Sequence, residues 1–364
     1  MTKISIVTVC LNCSTTIEKT IKSIVDQNYS NVEYIIIDGG STDGTLDIIN
    51  KYSGHISHLI SERDNGIYDA MNKGVDIATG ELIAFVNDGD WYENNAFDVI
   101  SRFYEENPAD VIFGDIYDHY EDKMIPIVYS DMAPRDIYKG MTICHQGCFI
   151  RTSLMKRYKY DTSYRIASDQ KFLAEAYSDG YIFKHLNRII VNYTEGGFSA
   201  SDNELMFKEQ YRIVLELNRR KSTISVDGFC EHYYDYIIWR ILDKENQWSP
   251  DIIFSKTVSE LISSINKPIA VFGNGKNGKR IQRILTMGGV DDFLIIDNSN
   301  DSDSSLPENV PEIDNYYIIN TPVNYQDDIR RQLLGLGCKD ENIQNYRDFI
   351  FDIGKIYYEH CIFS

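Results

Sequence analysis

The first 90 residues alternate between short β-branched runs and amphipathic segments, and this alternation constrains the fold more than any other feature of the chain. The runs at residues 4–9, 32–37 and 82–86 are typical of buried strands. Between them, apolar residues at helical spacing predict helices over residues 15–27, 42–52 and 67–78. Strands and helices in alternation predict right-handed βαβ units and a mostly parallel α/β sheet.

An Asp-x-Asp sequence directly follows one of these strands. The strand at residues 82–86 continues through Asn87 into Asp88, Gly89 and Asp90. Because open α/β sheets bind ligands at the carboxyl ends of their strands, two carboxylates there suit a divalent cation that bridges substrate phosphates. The same residue types also form ordinary polar turns. The glycine leaves room beside a ligand that a side chain would occupy.

Two more aspartates extend this acidic edge. Asp38 follows the second strand, and Asp64 lies in the loop before the third helix. A carboxylate accepts hydrogen bonds from a base or a ribose, and a metal neutralises phosphates. Convergence with Asp88 and Asp90 therefore predicts a site for a nucleoside diphosphate with a metal.

Charge and cysteine content narrow the partners and the compartment. With 55 acidic and 36 basic residues the net charge is -19, which repels nucleic acid and anionic membranes at long range, so no nucleic-acid partner is predicted. No apolar run approaches the roughly 18 residues that span a bilayer. The amino terminus lacks a signal-peptide pattern. Seven scattered cysteines, an odd number, predict reduced thiols in the cytoplasm.

The acidic edge belongs to a larger pattern that resembles the family 2 glycosyltransferases with the GT-A fold. The resemblance extends over residues 5 to about 201. Its motifs are Ser5-Ile6-Val7-Thr8-Val9 with Asn12, Ile37-Asp38-Gly39-Gly40-Ser41-Thr42-Asp43-Gly44, Asp64-Asn65-Gly66-Ile67-Tyr68-Asp69, Asn72-Lys73-Gly74, Thr79-Gly80-Glu81, Asn87-Asp88-Gly89-Asp90, His145-Gln146 and Ala167-Ser168-Asp169. The resemblance implies a GT-A domain over residues 1–204 that uses a nucleotide-sugar donor.

The resemblance assigns the chemistry to three aspartates. Asp90 would bind Mn²⁺ or Mg²⁺ on the donor diphosphate, with Asp88 close to the ribose and phosphates. Asp169 would be the base that takes the proton of an acceptor hydroxyl. One base without a covalent nucleophile implies a single displacement with inversion at the anomeric carbon. Asp169 also suits a cap on a helix that begins at Gln170.

The resemblance also implies a set of donor-binding residues. The nucleotide would lie on Thr8, Asn12, Asp38 and Asp64. Where the family commonly has an arginine on the third helix, this chain has Met71, and Lys73 is the candidate to replace that charge. His145 and Arg165 are expected near the diphosphate or the acceptor. Their alternatives are a partly buried histidine and a surface ion pair.

A second glycine-rich loop lies near residue 273. Gly273, Gly275 and Gly278 form Gly-x-Gly-x-x-Gly between a strand at residues 269–272 and a helix, and Asp297 ends the next strand. This is the dinucleotide-binding fingerprint in its expected context. The small Rossmann-like domain predicted over residues 266–364 lacks a second mononucleotide half. Ligand binding and a packing or homo-oligomerising role therefore both stay open.

Residues 205–265 are predicted to form a helical segment between the two α/β domains, with helices at 205–217 and 229–242 that mix apolar, aromatic and charged side chains. This segment is a candidate for acceptor or membrane contact, or for packing between domains.

The leading prediction is an inverting, metal-dependent glycosyltransferase that uses a UDP-sugar. It would transfer the sugar to a hydroxyl of a growing bacterial surface glycan. A lipid-linked acceptor would be reached by peripheral docking at the inner face of the cell membrane. One alternative is an NAD-dependent oxidoreductase or epimerase centred on the second glycine-rich loop. Another is a non-catalytic nucleotide-sugar-binding protein.

Overall fold

Two α/β units make up the described chain. The computed structural model describes residues 1–121, 123–194, 202–245, 252–299 and 304–363. Unit 1 comprises Met1–Val226 and unit 2 comprises Asp227–Ser364. The division into three segments, with boundaries at residues 204 and 265, stays a prediction.

Unit 1 is built on a nine-stranded sheet, counted over the described residues. Its strands are β1 (Ile4–Cys10), β2 (Val32–Asp38), β3 (His58–Ser61), β4 (Leu82–Phe85), β5 (Trp91–Tyr92), β6 (Val111–Tyr120), β7 (Lys123–Ile127), β8 (Cys148–Arg151) and β9 (Phe183–Thr194). Its helices are α1 (Ile17–Val25), α2 (Thr45–Lys51), α3 (Ile67–Ile77), α4 (Ala96–Glu106), α5 (Thr152–Tyr158), α6 (Ser168–Ser178) and α7 (Asn203–Arg220).

The sheet of unit 1 changes character halfway across. Its order is β3-β2-β1-β4-β8-β6-β9-β5, with β7 paired to β6. The first four strands are parallel; the alternation predicts three of them, β1, β2 and β4, and misses the short, largely exposed β3. The second half is mixed, because β6 and β7 form a hairpin while β8 runs antiparallel to both β4 and β6. Hairpin neighbours pair antiparallel, which a parallel-sheet prediction from the first 90 residues did not include.

The core of unit 1 has two layers, one on each face of the sheet. Side chains of a strand alternate between faces. Val7 and Val9 of β1 therefore pack with α3, α6 and α7 on one side. Ile4 and Ile6 pack with α1, α2 and α4 on the other. This sandwich fixes the carboxyl ends of β1, β2 and β4 along one edge, where the predicted site residues lie.

Unit 2 is a smaller parallel α/β unit. Its helices are α8, which begins at the boundary (Val226–His232), α9 (Tyr234–Glu245), α10 (Ile252–Ser264), α11 (Lys276–Met287), α12 (Gln326–Gly335) and α13 (Tyr346–Phe363). Its strands are β10 (Ile269–Phe272), β11 (Phe293–Ile296), β12 (Tyr317–Asn320) and β13 (Ile343–Asn345). The helix predicted over residues 229–242 is in fact divided between α8 and α9.

The strand order of unit 2 matches the predicted Rossmann-like architecture. The order is β11-β10-β12-β13, and every pair is parallel. The first strand of the unit thus lies between the second and the third, as in doubly wound sheets. Within the described ranges, no helix of either unit combines the length and apolar character that a membrane crossing requires.

Candidate active site

The Asp-x-Asp sequence forms a tight turn at the carboxyl end of β4. Gly89 has φ +89°, a left-handed conformation that favours glycine, so the turn itself requires this residue. The main chain of the turn is anchored to α1, because the Thr20 hydroxyl donates to the Asp90 carbonyl at 2.7 Å and accepts from the Gly89 amide at 3.1 Å. The turn therefore presents both carboxylates from a fixed backbone.

Asp90 is a buried carboxylate without a nearby lysine or arginine partner in the described chain. Its oxygens accept from the Thr194 amide at 2.9 Å and from the Gln146 side-chain amide at 3.1 Å. Burial raises the pKa of Asp90 to about 7, although these two donors and the charge of His145 act in the opposite direction. Burial also raises the pKa of Asp88, which accepts from the Thr16 hydroxyl at 3.2 Å.

Asp169 lies in the first turn of α6, in a very different electrostatic environment. Its two oxygens contact the Tyr68 hydroxyl at 2.9 Å and His145 Nδ1 at 2.9 Å. Burial acts to raise the pKa of Asp169, but the charge of His145 and the hydrogen bonds from His145 and Tyr68 lower it overall. Because α6 begins at Ser168 with Ala167 as its N-cap, Asp169 is not the cap of this helix, contrary to that alternative.

A short 3-10 turn, His145–Gly147, connects the two acidic positions. Its first residue contacts Asp169, and Gln146 donates to Asp90. The Cys144 thiol donates to the side-chain oxygen Oε1 of Gln146 at 2.8 Å, which orients the side-chain amide toward Asp90. One rigid turn thus holds the base candidate and the metal candidate in a fixed relation.

These residues line one cavity of about 670 Å³. Of the predicted site residues, Asp88, Asp90, His145, Arg165 and Asp169 border it. Three buried polar atoms on the residues of its wall have no hydrogen-bond partner in the described chain: Asn87 Oδ1, Asp118 Oδ1 and His145 Nε2. Since buried polar groups are normally paired, these atoms mark a wall suited to a hydroxylated ligand.

The remaining predicted residues form a second cluster, at the ends of β1, β2 and β3. Asp38 is fully buried and accepts from the amides of Gly40 and Ser41 and from the Ser61 hydroxyl. Asn12 accepts from the Thr42 amide at 2.9 Å. Asp38 and Asn12 therefore shape the loop between β2 and α2.

Thr8 and Asp64 occupy contrasting places in this second cluster. Thr8 is fully buried, and its hydroxyl oxygen accepts from Tyr34. Asp64 lies against the same loop, because a Cβ on Gly39 would come within 3.1 Å of Asp64 Oδ2. The β1–α1 loop joins the two clusters, since Ser14 contacts Asp43 and Thr16 contacts Asp88.

Lys73 is held by carboxylates of this second cluster. Its ammonium group contacts Asp64 at 2.5 Å and Glu62 at 2.8 Å. The hydrogen bonds that Lys73 donates to these two carboxylates raise its pKa. Met71, which replaces the family's arginine, is buried and borders the large cavity instead. Lys73 does not border that cavity, so the side chains of Lys73 and Met71 occupy different sites.

Arg165 is exposed at the rim of the cavity, and no ion pair of its guanidinium is seen in the described chain. Its backbone amide, however, is engaged by a residue that sequence reasoning missed. Glu209 of α7, itself buried, accepts from the consecutive amides of Arg165, Ile166 and Ala167 at 2.6, 2.8 and 2.8 Å. This carboxylate fixes the chain immediately before Asp169. A glutamate within a helix of mixed composition carried no sequence signal for that role.

The acidic turn fits a divalent cation. No group of three or more His, Cys, Asp or Glu side chains within the described residues is arranged to hold a metal by itself. Mg²⁺ in phosphate-transfer sites is commonly held by one or two carboxylates together with substrate phosphates. Asp88 and Asp90, both with raised pKa values, supply two such carboxylates. Burial disfavours the ionised form of both carboxylates, and a bound cation would stabilise that form.

The glycine-rich loop of unit 2 is closed by its own contacts. A Cβ on Gly278 would lie 1.7 Å from the Gly273 carbonyl oxygen, whereas one on Gly275 would meet nothing within 4 Å. Asp297 accepts from the amides of Asn274 at 2.6 Å and Ser299 at 2.7 Å. Its pKa is lowered because hydrogen bonds from Ser299 and Asn274 outweigh burial. A cavity of about 400 Å³ borders Gly273 and Asp297. A second nucleotide site here stays a prediction.

Comparison with known proteins identifies the family of this chain. The model of Glycosyl transferase family 2 matches residues 5–159. A PGL/p-HBAD biosynthesis glycosyltransferase of Mycobacterium bovis is 31% identical over 212 residues, which cover 56% of this chain and 81% of that relative. The Escherichia coli UDP-Glc:alpha-D-GlcNAc-diphosphoundecaprenol beta-1,3-glucosyltransferase WfaP is 28% identical over 252 residues, or 65% of this chain and 98% of that relative.

Solved structures agree on the fold. S. aureus TarS 1-349 aligns with a TM-score of 0.53 at 18% identity, covering 79% of this chain and 83% of that chain. The same protein in complex with UDP aligns with a TM-score of 0.51 at 20% identity, covering 65% and 70%. These likenesses support the predicted GT-A fold. The chain belongs to glycosyl transferase family 2 and is a glycosyltransferase.

Proposed function

We propose that this glycosyltransferase moves a sugar from a nucleoside-diphosphate sugar to an acceptor hydroxyl with inversion, using a divalent cation at Asp90 and Asp88. One observation carries the proposal. A single cavity holds two aspartates whose surroundings shift their pKa values in opposite directions, upward at Asp90 and downward at Asp169. Divergent pKa values within one cavity are typical of active-site carboxylates with different roles, and a nearby cation would favour the ionised form of the buried Asp90.

Asp169 is the proposed general base. Its lowered pKa keeps it ionised near neutral pH, and it borders the cavity at a place fixed by His145 and Tyr68. It would take the proton of the acceptor hydroxyl while that oxygen forms a bond to the anomeric carbon. The bond from this carbon to the diphosphate oxygen breaks, and the nucleoside diphosphate leaves with the electron pair. A base of this kind typically contributes about 10²–10⁴-fold to the rate.

Asp90 is the proposed principal ligand of Mn²⁺ or Mg²⁺. Asp88 is the proposed second ligand, close to the ribose and the phosphates of the donor. When bound, the cation supplies positive charge for the leaving diphosphate. Asp90 contributes by being held in a fixed direction through Thr194 and Gln146. Gln146 also couples this carboxylate to the turn that carries His145, which is proposed to lie near the diphosphate or the acceptor.

The nucleotide is proposed to lie over the second cluster. Asp64 and the loop shaped by Asp38 and Asn12 would contact the base and ribose, with Thr8 supporting them from β1. Lys73 forms ion pairs with Glu62 and Asp64 in this cluster. It would act on the donor indirectly, by holding Asp64 in place. Arg165, exposed at the rim of the cavity, is the proposed partner of a phosphate.

The donor is proposed to be a UDP-sugar and the acceptor a growing bacterial surface glycan on a lipid carrier. The name of the E. coli relative gives UDP-Glc as donor and a diphosphoundecaprenol-linked sugar as acceptor. TarS, which shares the fold, has been solved with UDP and with UDP-GlcNAc. The proposed location is the cytoplasm, at the inner face of the membrane when the acceptor is lipid-linked.

A panel of nucleotide sugars tests the proposal without an identified acceptor. The full chain is incubated with UDP-glucose, UDP-GlcNAc, UDP-galactose or GDP-mannose in Mn²⁺, in Mg²⁺ or in EDTA. Binding of each nucleotide sugar and release of the nucleoside diphosphate are both measured. We expect slow hydrolysis of at least one UDP-sugar that stops in EDTA and in Asp90→Asn. Absence of binding to every UDP- and GDP-sugar with Mn²⁺ present would refute the proposal.

A further inference from the structure

The β6–β7 hairpin extends outward from the wall of the active-site cavity. Its register pairs Ile116 with Ile127, Asp118 with Ile125 and Tyr120 with Lys123. Ile116, Asp118 and Ile127 border the cavity. Because alternate residues of a strand share a face, and opposite residues of a hairpin share it too, this face continues past the cavity to Tyr120 and Ile125, whereas Met124, opposite His119, lies on the other face of the hairpin.

The outer part of this hairpin and the loop after it carry exposed apolar side chains. We call them the apolar rim: Tyr120, Met124, Ile125, Val128, Met132 and Met141. Met124 is 56% exposed, Val128 65% and Met132 58%. Met141 also borders the cavity, so the rim is continuous with the site. Exposed apolar side chains grouped beside a functional site mark an interaction surface.

We propose that the apolar rim seats the enzyme on the hydrocarbon region of a lipid bilayer. The proposal rests on the proposed function, in which the acceptor is lipid-linked, and it assigns the contact to the β6–β7 hairpin rather than to residues 205–242. Aliphatic and thioether side chains gain free energy in hydrocarbon, whereas sugars are bound mainly by hydrogen bonds and aromatic faces.

Charge supports an apolar rather than an electrostatic contact. The net charge of -19 opposes attraction to an anionic lipid surface. Within the described ranges no helix can cross a membrane. Surface insertion of apolar side chains is then the available source of affinity. The rim would bring the cavity mouth to the bilayer surface, where a lipid-linked hydroxyl is presented.

Vesicle flotation of the full chain tests this seat directly. Vesicles of phosphatidylcholine alone and of phosphatidylcholine with phosphatidylglycerol are compared. We expect the wild type to float with both, and more weakly with the anionic vesicles at low salt. The triple variant Met124→Ser, Ile125→Ser, Val128→Ser should lower the bound fraction about tenfold or more, given the free energy of burying three apolar side chains.

A control variant and two further readouts make the result interpretable. Ile182→Ser removes a side chain that is 52% exposed and precedes β9, at the opposite end of the strands from the site, and it should float like the wild type. Metal-dependent donor hydrolysis should persist in the triple variant, which reports on folding and separates this proposal from the proposed function. Wild type that fails to float, or a triple variant that floats equally well, would overturn the seat. So would a wild-type dimer that the triple variant dissociates in light scattering, because the rim would then bind a second copy.

Discussion

Units 1 and 2 both place aspartates beside a glycine at the carboxyl ends of parallel strands, yet they treat those carboxylates in opposite ways. In unit 2, Asp297 accepts two backbone amides and its pKa is lowered. In unit 1, burial raises the pKa of Asp88 and Asp90. A carboxylate satisfied by its own backbone closes a loop, whereas one that is buried with too few donors retains capacity for a cation.

The same contrast exists inside unit 1. Asp38 is buried and accepts from the Gly40 and Ser41 amides of its own loop and from Ser61 of β3, much as the half-buried Asp297 accepts from nearby amides. Asp169 is buried and is supported chiefly by the side chains of His145 and Tyr68, with a weaker contribution from the Gln170 backbone. Asp38 and Asp297 therefore shape the loops that follow their own strands, whereas Asp90 and Asp169 accept from residues distant in sequence, such as Thr194 and His145, and border the cavity.

The largest expected effect is at the proposed base. Asp169→Asn should lower the turnover number for sugar transfer about 10²–10⁴-fold, because an amide cannot take the proton. Donor affinity should stay within about twofold, since the metal-binding turn is untouched. The readouts are steady-state transfer and calorimetric donor binding. Asp179→Asn, at the far end of the same helix, is the control, and transfer by Asp169→Asn at the control's rate would remove the base assignment.

The opposite pKa shifts predict opposite effects on stability. Asp90 has a pKa above its ordinary value, so the free energy of unfolding falls as pH rises toward 7, because the unfolded chain ionises first. Asp90→Asn should therefore stabilise the metal-free protein at pH 8, by about 2–4 kcal/mol. Asp169 has a lowered pKa, so its ionised form stabilises the fold at pH 8 and loses that effect as pH falls.

Asp169→Asn should accordingly destabilise the protein at pH 8. Urea unfolding of both variants in EDTA, at pH 5 and pH 8, measures the pair. A change of the same sign in both variants at pH 8 would contradict the assigned environments.

Two glycines of unit 2 test whether its glycine-rich loop is closed by its own contacts. Gly278→Ala should lower the free energy of unfolding by about 1–3 kcal/mol, because its Cβ would overlap the Gly273 carbonyl oxygen. Gly275→Ala should change it by less than about 0.5 kcal/mol, since the space around it is open. Denaturant titration checks both. A weaker affinity of Gly275→Ala for NAD or a UDP-sugar, compared with wild type, would instead show that this loop binds a ligand.

The smallest expected effect on catalysis is at Glu209. Glu209→Gln should lower the turnover number about tenfold while KM for the donor stays constant. The glutamine NH₂ group would face one of the three backbone amides that donate to Glu209, and that hydrogen bond would be lost. Glu216→Gln on the same helix, which loses ion pairs to Lys171 and Arg212, is the control. If both variants lose activity and stability in parallel, Glu209 only supports the fold.

The sequence predicts β1, β2 and β4 of the parallel half of unit 1, because buried β-branched runs are local signals, but it misses β3, whose four residues are mostly exposed. It does not predict β9, a twelve-residue strand whose exposed and buried positions do not alternate regularly. It also misses Glu209, Gln146 and Tyr68 as partners of the aspartates. Their roles depend on contacts between distant segments, such as α7 with the chain before α6, which composition and spacing do not encode.

The central claim is that Asp90 holds a divalent cation on the donor diphosphate. Titration of a UDP-sugar that the panel identifies, in Mn²⁺ at pH values from 5.5 to 8, tests it most directly, because such a sugar diphosphate does not itself titrate near 7. We predict that affinity rises about tenfold per pH unit up to pH near 7 and then levels off, since the cation displaces the proton of Asp90. The Mn²⁺ dependence should vanish in Asp90→Asn. An affinity that is the same with Mn²⁺ and with EDTA throughout this range would contradict the claim.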